Sequence, residues 1–170
     1  MNVAQLQASQ DLDTFFFKLM AELGESLECD RCFLYLRHPE TKLGKVPFCW
    51  VRSSEIPTVY DQHWKPEPES LASEDPMFAA ALRCAPSIFV EDVKTADPQV
   101  LNSQFEQENF GHRALVHGHL CHENQLWGVL QPCVFGRPRV WTEGDRAAIA
   151  EVIAQITSTA VTFIQTSQPT

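Results

Sequence analysis

Three residues in one short segment have side chains that could bind a metal ion: His117, His119 and Cys121. If this segment is a strand, residues two apart project from the same face, so the two imidazoles and the thiol lie together. Imidazole and thiolate are ligands that zinc prefers in proteins. No fourth protein ligand is apparent, because Cys133 falls on the opposite face of the next strand. These residues therefore remain candidates for a metal site. The sequence favours the alternative interpretation, in which the two histidines are hydrogen-bonded in a pocket or face a helix.

A second chemical candidate is the pair Cys29-x-x-Cys32, which has the spacing of a redox motif. Redox thiols of this kind need the N-terminus of a helix to lower their pKa, whereas this pair follows the end of a predicted helix. The chain has six cysteines and no secretory signal, which favours free thiols that pack as small apolar side chains. A thiol- or metal-dependent enzyme that uses Cys121, His117, His119 or Cys133 remains an alternative.

The histidines and Cys121 belong to a predicted β-hairpin that stands at the centre of the chain. Two apolar runs, Ala114–Cys121 and Gln125–Phe135, flank the polar turn 122–124. Both runs are long and mostly apolar, so we expect both of their faces to be covered. Gly128 indicates a close approach of another backbone or a bulge.

The rest of the chain alternates between helical and extended patterns. Apolar residues at helical spacing predict a helix at each end, and β-rich runs predict strands between them. The predicted helices are Asp11–Leu27, Pro76–Cys84, part of Asp97–Phe110, and Thr142–Gln165, and the predicted strands are Cys32–Leu36, Lys45–Arg52 and Ser87–Val93 in addition to the hairpin. The polar, proline-broken stretch Ser53–Ser73 is predicted to be a loop, with Trp64 packed on the core. This order of elements indicates an α+β domain.

Composition excludes several classes of function. The chain has 170 residues and an apolar fraction of 44%, which fits one domain over residues 1–170. Its net charge of −9 argues against nucleic-acid binding. No signal peptide and no apolar stretch of membrane-spanning length is recognised, so we expect a cytoplasmic protein.

The hairpin and its neighbours resemble the GAF domains of cyanobacterial phytochrome-like photoreceptors. The matching motifs are Leu126-Trp127-Gly128-Val129-Leu130 and Pro138-Arg139-Val140-Trp141, and the segment around Asp30-Arg31 resembles the start of a GAF sheet. The resemblance covers roughly residues 10–165. It implies a central antiparallel sheet of about five or six strands, with the N- and C-terminal helices packed on one face.

Two departures from this family concern its linear tetrapyrrole (bilin) chromophore. The family's anchoring Cys-His would fall within residues 102–110, which contain neither residue type, and its His-His pair aligns with Cys133-Val134. Covalent bilin is therefore not expected, and the cofactor stays unassigned. The resemblance also implies a small-ligand pocket between the sheet and the loop-and-helix segments, for which the candidate lining residues are Phe89, Phe105, Phe110, His112, His117, His119 and Val134.

The sequence thus favours a non-catalytic sensory or regulatory module that binds a small molecule or a protein partner. A second hypothesis is an assembly or adaptor factor for a larger, for example photosynthetic, complex. The terminal helices carry more apolar residues than one sheet contact covers, which predicts a homodimer through these helices. The residues concerned are Phe15, Phe16, Phe17, Val161, Phe163 and Ile164.

Overall fold

The computed structural model describes residues 11–167, and an antiparallel sheet forms the middle layer. Its strands are β1 (Arg31–Arg37), β2 (Leu43–Val51), β3 (Asp61–Pro66), β4 (Ile88–Val90), β5 (Ala114–His122) and β6 (Gln125–Val134). The strands lie in the order β3-β2-β1-β6-β5-β4. The helices are α1 (Leu12–Ser26), α2 (Leu71–Glu74), α3 (Pro76–Leu82), α4 (Ser103–Asn109) and α5 (Glu143–Thr166). The α+β class and the six-stranded sheet are as the sequence predicted.

The central hairpin turns within two residues. Glu123 and Asn124 have φ angles of 51° and 58°, in the left-handed region that a type I′ turn requires at both positions. Gly128 lies on β6 where a Cβ atom would come within 2.6 Å of the Tyr35 carbonyl oxygen. The close backbone approach predicted at Gly128 is confirmed, and only glycine fits there without a shift of β1.

The terminal helices α1 and α5 pack on one face of the sheet. Asp11 caps α1 by accepting a hydrogen bond from the Thr14 amide at 2.9 Å, and Thr142 with Asp145 forms a capping box at the start of α5. Between these helices and the sheet, the rings of Phe16, Phe48 and Phe163 form a cluster with centroids 4.9–5.9 Å apart. This face of the sheet is a closed aromatic core.

Burial on this face corrects the premise of the homodimer prediction. Phe15, Phe16 and Ile164 are fully buried and Phe163 is 7% exposed within the single chain. The sequence pattern counted these side chains as uncovered, because it could not show that β2 brings Phe48 between the two helices. Phe17 is the member of the set that stays on the surface, 44% exposed. The dimer itself remains a prediction.

Helix α5 is also long and apolar enough, by composition, to cross a membrane, with a mean hydropathy of 1.6 over its most apolar window. The expectation that no apolar stretch has membrane-spanning length is thus wrong in terms of length and composition. Its buried side chains, among them Ile149, Val152 and Ile156, belong to the core beside the sheet. In all, 39% of this window is buried inside the domain.

The other face of the sheet is covered by α2, α3, α4 and their connecting loops. The prediction of a loop over Ser53–Ser73 is wrong in part, because Asp61–Pro66 forms the edge strand β3 and Leu71–Glu74 forms α2. A short polar strand at an edge lacks the apolar alternation that marks a strand in sequence. Trp64 lies partly buried against the core between the sheet and the terminal helices, as predicted. Its indole N–H donates to the Ser167 carbonyl at 3.1 Å.

Candidate functional site

A cavity of about 250 Å³ lies between the sheet and the short helices α2 to α4. Strands β1, β2, β5 and β6 supply its floor, and the helices supply its roof. The lining residues are Phe33, Tyr35, Val46, Leu71, Asp75, Phe78, Phe105, Glu106, Phe110, His117, Val129 and Gln131. Apolar walls with a few convergent polar groups are typical of small-molecule sites.

Five aromatic rings form most of the cavity wall. Phe33 and Phe110 stack nearly parallel, with an interplanar angle of 11° and centroids 6.4 Å apart. Phe105 meets Phe110 edge to face at 6.3 Å, and Tyr35 meets Phe78 in the same way at 6.4 Å. The Tyr35 hydroxyl donates to Glu67 at 2.6 Å, so this ring offers the cavity its face and not its polar end.

Asp75 brings a buried carboxyl group to the cavity. It is the N-cap of α3, and its Oδ1 accepts hydrogen bonds from the amides of Met77 (2.9 Å) and Phe78 (3.2 Å). Burial, and then the negative charge of Glu106, raise the pKa of Asp75 to about 6. A carboxyl group with this pKa changes its charge near neutral pH, which is unusual for aspartate.

Glu106 contributes a second buried carboxyl group from α4. Its side chain is 1% exposed and accepts a short hydrogen bond from His112 Nε2. The other ring nitrogen of His112 is buried without a hydrogen-bond partner in the described chain. His112 therefore stands behind Glu106 and lines a separate surface depression with Lys94 and Arg113.

His117 and His119 form a hydrogen-bonded pair on β5. His119 Nδ1 lies 2.6 Å from the Ala85 carbonyl oxygen, and His117 Nδ1 lies 2.9 Å from His119 Nε2. Burial lowers the pKa of both rings, that of His117 well below its usual range with His119 and His112 as further causes. Both rings are therefore neutral at physiological pH. Their hydrogen bonds agree with the preference of the sequence analysis for hydrogen-bonded histidines.

Three of the seven predicted pocket residues line the cavity, namely Phe105, Phe110 and His117. His112 and His119 do not line the cavity, but each contacts a lining residue, namely Glu106 and His117 respectively. The placement of Phe89 and Val134 was wrong: Phe89 packs between β4 and α5 beneath Arg146, and Val134 belongs to the core under the terminal helices. Successive residues of a strand alternate between faces, and the predicted set mixed residues of both faces.

The metal candidates do not form a ligand set. Both nitrogens of His119 are engaged, by Ala85 and by His117, so the ring has no lone pair left for a metal ion in this arrangement. Across residues 11–167, no group of three or more His, Cys, Asp or Glu side chains is arranged to hold a metal ion.

The cysteines are free thiols, as expected. Burial raises the pKa of Cys29 and of Cys121 to about 12, and it also raises the pKa of Cys32 and of Cys133 well above the ordinary value. Cys32 Sγ lies 3.9 Å from the Met20 sulfur within the helix-face core. The Cys29-x-x-Cys32 spacing is thus a product of core packing and not of thiol chemistry.

Sequence reasoning missed the polar residues that matter most in the cavity, Asp75, Glu106 and Gln131. Asp75 directly precedes the predicted helix Pro76–Cys84, where an aspartate is explained by helix capping alone. Glu106 lies in a polar helix where nothing marks it as buried. Gln131 could have been recognised from the sequence, because it is a polar residue in the middle of the apolar run of β6. A buried polar residue needs a hydrogen-bond partner, which marks such a position as unusual.

The model of the GAF domain matches residues 11–161. The chain belongs to the GAF family. No curated protein matches its sequence significantly.

Solved structures confirm the GAF fold. The GAF domain of Thermosynechococcus elongatus PixJ, in its blue-light absorbing form, has a TM-score of 0.68 at 20% identity, over 91% of this chain and 89% of that one. The phycoerythrobilin-bound GAF domain of a cyanobacterial phytochrome has a TM-score of 0.71 at 18% identity, over 93% and 89%. The GAF domain of an Acinetobacter phosphoenolpyruvate-protein phosphotransferase has a TM-score of 0.68 at 13% identity, over 94% and 88%. At these identities the likeness concerns the fold alone.

Proposed function

We propose that this GAF domain is a non-catalytic sensory or regulatory module that binds a small organic molecule without a covalent bond. GAF domains are in general small-molecule-binding modules of sensors and regulators. The single observation that carries the proposal is the cavity of about 250 Å³, with aromatic walls and buried polar side chains that face into it. Buried polar groups are costly without hydrogen-bond partners, so their convergence on a cavity favours a ligand that supplies those partners.

The size of the cavity limits the ligand. Its volume equals that of roughly eight molecules of liquid water, which suits a molecule with one or two small rings. A linear tetrapyrrole has four rings and would require the roof helices to move apart. The cavity lining also contains no cysteine among the described residues, so a ligand held there has no thiol for attachment.

The absence of catalysis is supported by the state of the nucleophiles. The thiols of Cys29, Cys32, Cys121 and Cys133 have raised pKa values, and a protonated thiol is a poor nucleophile. His117 and His119 are neutral and hydrogen-bonded to each other. Neither histidine is paired with a serine, cysteine or carboxylate that it could activate.

The experiment compares a variant that fills the cavity with a matched variant on the surface. Val46 lines the cavity, whereas Val100 is exposed, so Val46→Phe and Val100→Phe make the same chemical change at the two sites. Purified protein is screened by thermal shift against a library of one- and two-ring metabolites, and each hit is checked by native mass spectrometry. We expect hits that raise the Tm of the wild type and of Val100→Phe but not of Val46→Phe.

Two results would count against the proposal. The first is a set of hits that Val46→Phe binds as well as the wild type, which would place the binding elsewhere. The second is a covalent adduct, visible by mass, after expression with bilin synthesis. A covalent adduct would show that the chain keeps the photoreceptor chemistry of its structural neighbours.

We propose binding to a protein partner as a second function, because an observation on the surface favours it. We also infer that the chain acts in the cytoplasm. Phe17 and Tyr60 are 44% and 46% exposed, and their ring centroids lie 6.5 Å apart on the terminal-helix face. Exposed aromatic residues that lie together are typical of protein interfaces. This surface suits either a second copy of the chain or a different protein.

A further inference from the structure

The polar groups that face the cavity are mainly hydrogen-bond acceptors. Asp75 and Glu106 present carboxyl groups from α3 and α4, and Gln131 presents an amide from β6. Gln131 is 4% exposed, and its side chain forms no hydrogen bond within residues 11–167. Asp75 is held only through Oδ1, so its second oxygen is available to a ligand.

The histidine pair adds another acceptor. A carbonyl oxygen can only accept, so the proton shared with Ala85 belongs to His119 Nδ1. A neutral His119 then has a lone pair on Nε2, which accepts the Nδ1 proton of His117. His117 is neutral too, so its own Nε2 has a lone pair and no proton. His117 is 4% exposed, lines the cavity, and has no described partner at Nε2.

No positive side chain balances these acceptors at the cavity wall. Among the described lining residues there is no lysine and no arginine. Arg31 is buried nearby but donates to the Pro57 carbonyl at 2.7 Å and packs on the Phe33 ring 5.4 Å away, without reaching the lining. His112 contacts Glu106 from the far side and leaves Asp75 without a counter-charge.

We propose that the cavity binds a small organic cation, an amine or amidine in its protonated form attached to one or two rings. The proposal rests on the proposed function, because it names the ligand class for the same cavity. The N–H groups of the cation donate to Asp75 and to His117 Nε2, and its positive charge compensates the buried carboxylates. The ring system packs between Phe33, Phe105 and Phe110.

The aromatic walls support the same class of ligand. The face of an aromatic ring carries negative charge density and attracts a cation within about 6 Å of its centroid. Five rings surround the cavity, and Tyr35 turns its hydroxyl away from it. An anionic ligand would find the Gln131 amide as a donor, but it would otherwise meet acceptors and ring faces and would lie beside two carboxyl groups. The cavity therefore selects ligands by the sign of their charge.

Binding is coupled to the protonation of Asp75. The groups that face it are Glu106 from α4, with His112 behind it, His117 from β5 and Tyr35 from β1. Glu106 and burial raise the pKa of Asp75 to about 6, and a bound cation lowers this pKa again. Cation affinity falls as the pH is lowered through 6, by at most tenfold for each pH unit, because the cation must then displace a proton.

The test uses three probes of nearly the same shape: benzamidine, which is a cation from pH 5 to 8, neutral benzamide, and the benzoate anion. Their binding to the full chain is measured by ligand-observed NMR titration at pH 7.5 and 5.0. We expect benzamidine to bind roughly tenfold to hundredfold more tightly than benzamide at pH 7.5, from charge-assisted hydrogen bonds and cation–π contacts. Benzoate should not bind.

Asp75→Asn removes the charge and keeps the helix cap, because asparagine caps as well as aspartate. This variant should lose the preference for benzamidine over benzamide and its pH dependence. Asp11→Asn is the matched control, since it makes the same change at the N-cap of α1, on the opposite face of the sheet. It should behave like the wild type.

Equal binding of benzamidine and benzamide, or a preference for benzoate, overturns the cation class but leaves a ligand-binding cavity. A charge preference that persists in Asp75→Asn overturns the role of this carboxyl group. Failure of all three probes overturns the class for single-ring cations. The separate comparison of Val46→Phe with Val100→Phe then decides whether the proposed function fails as well.

Discussion

The two faces of the sheet use their aromatic residues in opposite ways. Under the terminal helices, Phe16, Phe48 and Phe163 pack against one another with ring centroids 4.9–5.9 Å apart, and all three rings are almost fully buried. On the other face, Phe33 and Phe110 surround a cavity that also contains buried carboxyl groups. The first face stabilises the fold through close packing. The second face stabilises it less, because its aromatic rings border a cavity with buried carboxyl groups.

The largest difference between the faces should appear when a ring is removed. Phe16→Ala deletes a fully buried ring and should lower the free energy of unfolding by about 3–5 kcal/mol. Phe105→Ala removes a half-buried ring that already borders a cavity, and it should cost about 1–2 kcal/mol, because fewer contacts are lost. Urea denaturation at pH 7 measures both. Equal losses would show that the cavity wall contributes to the core as fully as the helix face does.

A smaller effect, of opposite sign, is expected at Asp75. Its pKa is raised from 3.8 to about 6, so between these values the folded chain holds the proton more tightly than the unfolded chain does. Raising the pH through this window therefore lowers stability. Asparagine does not ionise, so Asp75→Asn should be more stable than the wild type above pH 6, by about 1–3 kcal/mol. Below pH 4 the two should be equal.

Asp92 provides the contrasting control for this pH dependence. The Arg113 guanidinium, which contacts it through two hydrogen bonds, lowers the pKa of Asp92 to about 2. The charged form of Asp92 is thus favoured in the folded state, and Asp92→Asn should lose stability at neutral pH. In thermal melts from pH 4 to 8, Asp92→Asn should be less stable than the wild type by a constant amount, because the pKa of Asp92 lies below this range. Asp75→Asn should instead gain stability relative to the wild type as the pH rises from 4 to 6. Parallel changes would contradict the charge argument at the cavity.

The smallest effect on stability is expected at Phe17. Because this ring is 44% exposed and packs edge-on against Phe48, Phe17→Glu should lower the free energy of unfolding by less than about 1 kcal/mol. If the terminal-helix face pairs with a second copy, the same variant should convert a dimer into a folded monomer in sedimentation velocity. Phe16→Glu is unsuitable for this purpose, since it would place a carboxylate in the closed core. A wild type that is already monomeric at tens of micromolar would favour a different protein as the partner.

The helix face could be predicted from sequence much more completely than the cavity face. Apolar periodicity located α1 and α5, and the predicted ranges Asp11–Leu27 and Thr142–Gln165 begin at the N-caps that the structure shows. The hairpin of β5 and β6 followed from its two apolar runs. These features depend on residues that are close in the chain, which is the information that a single sequence carries best.

The cavity depends on distant residues, and sequence patterns do not show which of them meet. Asp75, Glu106 and Gln131 come from three separate elements, and none of the three elements fixes the position of the others. The hydrogen bond between His117 and His119 likewise depends on the loop that brings the Ala85 carbonyl to β5. The family resemblance placed the pocket between the sheet and the loop-and-helix segments. It did not show which strand residues face that side, and Phe89 and Val134 face the other side of the sheet.

The pairing of β1 with β6 has a consequence for how the chain folds and varies. Leu36 pairs with Gly128, so this step closes a loop of roughly ninety residues, and such non-local pairing makes folding slow. The entropy of closure grows only with the logarithm of loop length, and doubling the loop costs about 0.6 kcal/mol more. The roof of the cavity, from α2 to α4, lies inside this loop. Insertions and deletions there cost little free energy, so the same sheet can support cavity roofs of different length and shape.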